Sequence, residues 1–336
     1  MNLLSFTDKG IYCAAGDFYI DPWKPVGRAV ITHAHSDHAR PGHEHYLCHR
    51  YTAYLLQTRL GDQSYQTVEW NEPVFLNGVR VSLHPAGHMI GSSQVRVEHQ
   101  GEVWVVSGDY KTEDDGISGR FEPLRCDVFI TESTFGLPIY QWKPQQEIFT
   151  RIQRWIAKNK AKGESSILMA YSMGKAQRLL PCLAAVTPDI YVHGAIWNVQ
   201  EALIRAGIKL PAVKRVEPGM SKSALKEAVV IAPQGTDGSP WLNRFGAYAV
   251  GICSGWMQVR GNVRRSNADA GFALSDHADW KGLLEAVKAT QAKKVFVTHG
   301  FQSTFSRYLN ESGIESGEVT TQFGDNEQNL SVEETQ

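Results

Sequence analysis

The chain has 336 residues, 42% hydrophobic and 21% charged, with 34 Lys and Arg against 35 Asp and Glu. That is a globular composition with enough length for two domains, or for one domain carrying a large insertion, and no apolar run approaches the ~18 residues a membrane span needs. Five cysteines, odd in number, widely spaced and without a CxxC, argue against a disulfide framework and a cysteine-type zinc site. They read as reduced, buried fillers.

The N-terminus lacks the basic start, long apolar middle and cleavage site of a signal peptide, so the expected location is the cytoplasm. Residues 1 to 32 read as a meander of short strands, Ile11 to Cys13, Phe18 to Ile20 and Arg28 to Ile31. Turn-rich stretches separate them, and Asp21 closes the second. Directly after the third comes Thr32-His33-Ala34-His35-Ser36-Asp37-His38. Two residues apart in extended backbone, His33 and His35 face one way and can ligate one ion, while Asp37 and His38 turn towards a second. Imidazole with carboxylate suits zinc first and manganese second. A chance cluster of surface histidines is the competing reading, and it does not explain the partners that follow.

A helix is expected over Thr52 to Leu60, then strands at Val79 to Leu83, Gln94 to Glu98 and Val103 to Val106. Their loops carry His88, after Pro85-Ala86-Gly87, and Asp109, after Ser107-Gly108. His88 is the expected third ligand of the first ion and Asp109 the bridge between two ions. Asp127 to Thr134 repeats a buried strand ending in an acid, Glu132. That carboxylate has three open roles: a ligand, an acceptor for a ligand's imidazole N–H, or an exposed loop group. The second is favoured, because ligating histidines need such an orienter.

From about residue 138 the texture changes. Residues 138–268 hold 18 Lys and Arg against 7 Asp and Glu, and the flanking pieces together hold 16 against 28. A basic module beside an acidic, metal-binding one suits a nuclease, though an ordinary solvated basic face is the plainer reading. Glu147 to Lys160 has helical spacing with Arg151, Arg154 and Lys158 on its polar side. Ser166 to Ala170 reads as a buried strand, and Tyr171 to Gln177 opens a helix. Ser172 and Lys175 there form a candidate seat for a substrate phosphate; an ordinary capped helix start is the alternative. Strands at 189–192, 228–232 and 247–251, with a helix over 198–206, continue a βα alternation that implies a small parallel sheet. Basic residues scattered through this insert include Lys209, Lys214, Arg215, Lys222, Lys226, Arg260, Arg264 and Arg265. Trp256 is a candidate for stacking on a base, and equally a core residue. The last dozen residues read as a frayed tail.

After 268 the site chemistry resumes. Ser275-Asp276-His277-Ala278-Asp279 runs from a strand towards a helix near Trp280, and Lys294 to Gly300 is an apolar strand ending in His299-Gly300. Every candidate ligand thus falls at a strand end, which gathers them at one sheet rim. The remaining histidines lack that setting and read as structural or surface residues.

With HxHxDH, a Gly-His, a Gly-Asp and a final His-Gly in this order, nearly the whole chain resembles the metallo-β-lactamase superfamily. The insertion between Glu132 and His277, with Thr131-Glu132-Ser133-Thr134, Met173-Gly174-Lys175-Ala176-Gln177, Ser275-Asp276-His277-Ala278-Asp279 and Thr298-His299-Gly300, is similar to the β-CASP branch, whose members cut nucleic acids. Within it the compact length looks most like bacterial DNA exonucleases encoded beside an ATP-dependent DNA ligase and a helicase. The resemblance implies an α/β fold: a metallo-β-lactamase αββα sandwich over 1–137 and 269–336, with an α/β β-CASP domain inserted at 138–268. It further implies two divalent ions, zinc or manganese, one held by His33, His35 and His88 and the other by Asp37, His38 and His299, with Asp109 bridging. Asp37, His277, Glu132 and Asp21 form the implied catalytic set, in which Asp21 and Glu132 fix histidine tautomers and His277 sits over the leaving group.

The expected reaction is attack of an activated hydroxide on a phosphodiester of DNA, with a ligase and a helicase as implied partners. RNA is the alternative substrate, since a histidine at position 299 is typical of RNA-cutting members of the branch. A small-molecule hydrolase would leave the basic insert without a task, and a non-catalytic binding module would not keep every ligand position filled.

Overall fold

The computed structural model describes residues 2–259, 261, 262, 266 and 268–319. Arg260, Arg264, Arg265 and the C-terminal tail lie outside the described residues. The described residues divide into two compact units, one built from 2–141 with 277–319, the other from within 142–276. Both mix helix with strand, and each contains parallel strand pairs. Among the described residues no helix is long and apolar enough to cross a membrane.

In the first unit the N-terminal residues form a six-stranded sheet running in chain order from Ser5–Thr7 to Tyr65–Val68, antiparallel at first and parallel from Phe18–Ile20 onward. A seven-stranded sheet has Val128–Ser133 in its interior, between Glu102–Val106 and Lys294–Gly300, both parallel to it. Alternation sets the antiparallel register on its other side. Val81 opposes Val97 and Leu83 opposes Val95, all four with no exposed surface, so a slip of one residue would turn this apolar row to the wrong face.

One hydrophobic cluster draws on both sheets, with Ile11, Phe18, Val30 and Leu47 from the first and Val81, Val95, Trp104 and Ile130 from the second. The other face of the seven-stranded sheet packs Phe129, Val295 and Val297 against Leu283, Val287, Phe305 and Leu309 of the helices Trp280–Thr290 and Gln302–Glu311. Buried on both faces, Val128–Ser133 is buried along its whole length, as parallel central strands are.

The second unit carries a six-stranded sheet that is parallel throughout, with Ser165–Met169 between Val229–Ala232 and Tyr248–Cys253. The helix expected over 198–206 begins earlier, as Gly194–Arg205, because His193 caps it: its Nδ1 accepts from the Ala195 N–H at 3.1 Å. The helix after Ser165–Met169 starts at Lys175, following Gly174 at φ 96°.

Candidate metal centre

The strand Arg28–Val30 delivers Thr32 and the histidine run to the edge of the first unit's core. Ile31 still donates to the Leu47 carbonyl at 2.9 Å, and Thr32 accepts from the Ser93 N–H at 2.9 Å, so the run leaves the sheet already pinned on two sides. Asp109 arrives from the second sheet, three residues past Glu102–Val106. Gly108 before it has φ 56°, and a Cβ there would lie 2.7 Å from Thr32, so only glycine lets the two loops come this close.

Asp109 Oδ2 stands 3.5 Å from His33 Nε2, 3.8 Å from His88 Nε2 and 3.4 Å from His38 Nε2. His35 Nδ1 lies 3.1 Å from His88 Nε2, and His38 Nε2 lies 3.4 Å from Asp37 Oδ2. The donor atoms of His33, His35, His88 and Asp109 fall within 4.8 Å of one another, as do those of Asp37, His38 and His299. Donors held about 2.0–2.1 Å from one tetrahedral zinc are about 3.3 Å apart, which is the spacing seen here. Nε2 of His33 and Nε2 of His38 are buried without a hydrogen bond. A metal ion would satisfy both, so the residues fit a divalent cation, and Asp109 Oδ2 lies within 4 Å of histidines of both groups.

No family model matches the chain. It is 30% identical, over 311 residues that make up 91% of its length, to a probable DNA ligase of Opitutus terrae. It is 25% identical over 54% of its length to the cleavage and polyadenylation specificity factor 73 of Drosophila melanogaster, and 29% identical over 34% to the endoribonuclease YSH1 of Yarrowia lipolytica. It spans 30%, 28% and 14% of these proteins respectively. The motif order, the convergence of its histidines and these relatives agree. The chain resembles the β-CASP branch of the metallo-β-lactamase superfamily.

Carboxylates set the poses of His38 and His277. Asp21 accepts from His38 Nδ1 at 2.8 Å and from the Thr32 N–H at 2.8 Å, which turns His38 Nε2 towards Asp37 and Asp109. Glu132 takes His277 Nδ1, at 2.9 and 3.1 Å to its two oxygens, and the Tyr110 N–H at 2.8 Å. Burial penalises the charge of His38, yet Asp109 and Asp37 outweigh it and hold that imidazole well above its ordinary range. Burial and the charge of His38 hold His33 and His299 below theirs. Burial opposes the charge of Asp109 as well, but His38 keeps that carboxylate well below its usual range. The cluster thus concentrates carboxylates that call for a cation. A small cavity of about 30 Å³ borders the site, lined by Ile11, Ile20, Trp23 and Val106 as well as Asp37, His38 and His299.

Two contributions escape the motif reading. Thr32 Oγ1 sits 3.1 Å from His33 Nδ1, and Thr298 Oγ1 sits 3.1 Å from His299 Nδ1. The same Thr-His step is therefore used twice, a repetition visible in the sequence. The second is Arg59, near the end of the helix Arg50–Leu60. Its guanidinium donates to the carbonyls of His35 and Ala39, gripping the histidine loop by its main chain, and no sequence signal marks it.

The expected phosphate seat has a different internal structure. Lys175 is 1% exposed, with Nζ 3.4 Å from Asp276, so its charge has an acid inside the second unit and is not held out to solvent. Ser172 is half-buried, and its carbonyl accepts from Gln177 Nε2 at 3.2 Å.

Proposed function

We propose that the protein is a metal-dependent phosphodiesterase, a DNA exonuclease of the ligase-associated kind, with an αββα core carrying a nucleic-acid-holding insertion. The observation that carries the phosphodiesterase reading is Asp109 Oδ2, within 3.4 to 3.8 Å of His33, His38 and His88 at the junction of two potential ligand groups. The DNA assignment draws on the likeness to a probable DNA ligase, which runs through 91% of the chain. In this reading His33, His35, His88 and Asp109 hold one ion, and Asp37, His38 and His299 with the shared Asp109 hold the second. Zinc suits this ligand set first and manganese second. When bound, such a pair lowers the pKa of water and absorbs charge on phosphoryl oxygens.

The remaining steps belong to the side chains. Glu132 holds the Nδ1 proton of His277, which leaves the acid–base task to Nε2, and the ring hydrogen-bonds or protonates the departing sugar oxygen. Asp21 fixes His38 in the tautomer that presents Nε2, as the carboxylate partner of a ligating histidine does. Thr32 and Thr298 do the same for His33 and His299 through their hydroxyls. Ser172, three residues before the helix Lys175–Ala184, and Lys175 are kept as the residues that hold a neighbouring phosphate.

RNA is the second reading. It draws on His299 and on the likeness to an endoribonuclease and a polyadenylation factor over 34% and 54% of the chain. The test is to incubate zinc- or manganese-loaded protein with matched DNA and RNA labelled at the 5′ or 3′ end and to follow product size. Stepwise shortening of DNA supports the first reading and cleavage of RNA alone the second. No cleavage of either by metal-loaded protein sinks both.

A further inference from the structure

We infer that the outer face of the helix Gln145–Ala161 is a contact surface for the phosphodiester backbone of a nucleic acid. The inference rests on the nuclease reading and extends it to a surface made of side chains that take no part in the metal centre.

The helix buries Ile148, Ile152 and Ile156, and its opposite side carries Arg151, Arg154 and Lys158, all exposed. These positions follow one another at intervals of three and four, so they form one row along the helix, about 10 Å from first to last. Lys162 continues it at the C-cap. Four cations on one face repel one another unless acids are interleaved, and on this helix only Glu147 lies in the row.

Charge pairing sets Arg154 and Lys158 apart from several cations of the unit, though Lys160, Arg205, Lys209 and Lys222 are likewise exposed and without a carboxylate within 4 Å among the described residues, and the end of the row, Lys162, is paired. Lys162, Lys214, Arg215 and Lys226 each have a carboxylate within 4 Å. Arg154 and Lys158 have none among the described residues, so their charge is available to a partner. Arg151 lies over the Phe272 ring, 5.9 Å from its centre, and Trp155 packs edge-on against the same ring. That platform holds the guanidinium out from the surface and reduces the entropy it loses on binding. A row of uncompensated guanidinium and ammonium groups, one of them pre-positioned, matches a chain of phosphates. It gives affinity without sequence preference, because such contacts read no bases.

The counterion-release relation makes the test quantitative. Binding of a phosphorothioate oligonucleotide, which keeps its backbone charge and resists cleavage, is measured across a salt series for the metal-loaded wild type, for Arg154→Gln/Lys158→Gln, and for Lys209→Gln/Lys222→Gln. The last pair removes the same charge from elsewhere in the insert. Loss of two phosphate contacts lowers the slope of log K against log salt by about 1.8 on duplex DNA and about 1.4 on a single strand. That reduction is expected for the helix variant and not for the control. An unchanged slope in the helix variant, or an equal drop in both, overturns the assignment of this face while leaving the nuclease reading intact. Failure of the wild type to bind DNA or RNA at any salt removes the nuclease reading itself.

Discussion

Glu132 and His277 are 145 positions apart in the chain, yet a carboxylate oxygen of one lies 2.9 Å from Nδ1 of the other. The same carboxylate anchors the Tyr110 N–H, next to Asp109, so a single buried acid ties the Asp109 loop to His277. Substituting His277 with Ala is expected to leave the metal content unchanged and lower turnover by roughly 10²- to 10⁴-fold, the range for loss of a general acid. Glu132→Gln keeps the shape and loses the charge, so its expected loss is smaller, about 10- to 100-fold. The double variant should be no slower than His277→Ala alone, because Glu132 acts through that ring. Metal analysis beside single-turnover rates decides the matter: zinc lost from His277→Ala would make the residue a ligand instead.

The Thr-His steps and Arg59 predict an order of metal affinities. Thr32 faces His33 and also donates to Asp21, whereas the contact of Thr298 with a ligand is to His299. Thr32→Val should therefore weaken zinc binding more than Thr298→Val, within the roughly 10- to 100-fold range for residues that orient ligands. Arg59→Met removes both main-chain contacts to the histidine loop and should fall in the same range, with Arg59→Lys recovering part of the loss. Competition against a chromogenic chelator reads these affinities without any assay of activity. Equal affinity in Arg59→Met and wild type would show that the loop holds its shape unaided.

Gly300 follows the last histidine at φ 73°, and a Cβ there would overlap the main chain of Ser133 and Thr134. Gly313 has a similar φ of 83° and nothing within 4 Å of its would-be Cβ. Gly313→Ala should then cost only the left-handed conformation, about 1–2 kcal/mol. Gly300→Ala should cost more and should also displace His299, whose carbonyl accepts from Ser133. Thermal unfolding with zinc stoichiometry separates the two effects; equal losses of stability with full zinc in both would refute the steric argument.

How much of this was readable beforehand depends on what carries each contact. His33, His35, Asp37, His38, His88, Asp109 and His299 follow or end apolar runs, and the strands that those runs form do bring them within reach of one another. Glu132 stands out for the same reason. Arg59 is silent in the sequence because it works through carbonyl oxygens, which every residue has. Lys175 sits in a Ser172-Met173-Gly174-Lys175 context that suggests an anion seat, but its partner Asp276 is 101 positions away, and only the packing of the parallel sheet brings them together. The helix that begins at Gly194 hides its start because its cap is a histidine, a residue outside the usual Ser, Thr, Asp and Asn set.

His49 supplies a prediction about pH that does not depend on the metal centre. It caps the helix Arg50–Leu60 by accepting from the Tyr51 N–H through Nδ1 at 3.3 Å, and its ring stacks on Trp70 at 4.1 Å. Burial, helped by the charge of Arg50, pushes the imidazole down to about 4. An unfolded chain titrates histidine near ~6.5, so between that pH and about 4 the unfolded state binds the extra proton and the folded state does not. Stability from this group is therefore complete above about pH 6.5 and falls as the pH drops towards 4, by up to about 1.4 kcal/mol per pH unit. Asparagine caps a helix and does not titrate, so His49→Asn should lose less of its urea midpoint between pH 7 and pH 5 than the wild type does. Protonation of the ligand histidines affects both proteins alike and cancels in the difference. Parallel losses in the two would mean that His49 takes up its proton as readily in the folded protein as in the unfolded chain, so that the cap contributes no pH dependence.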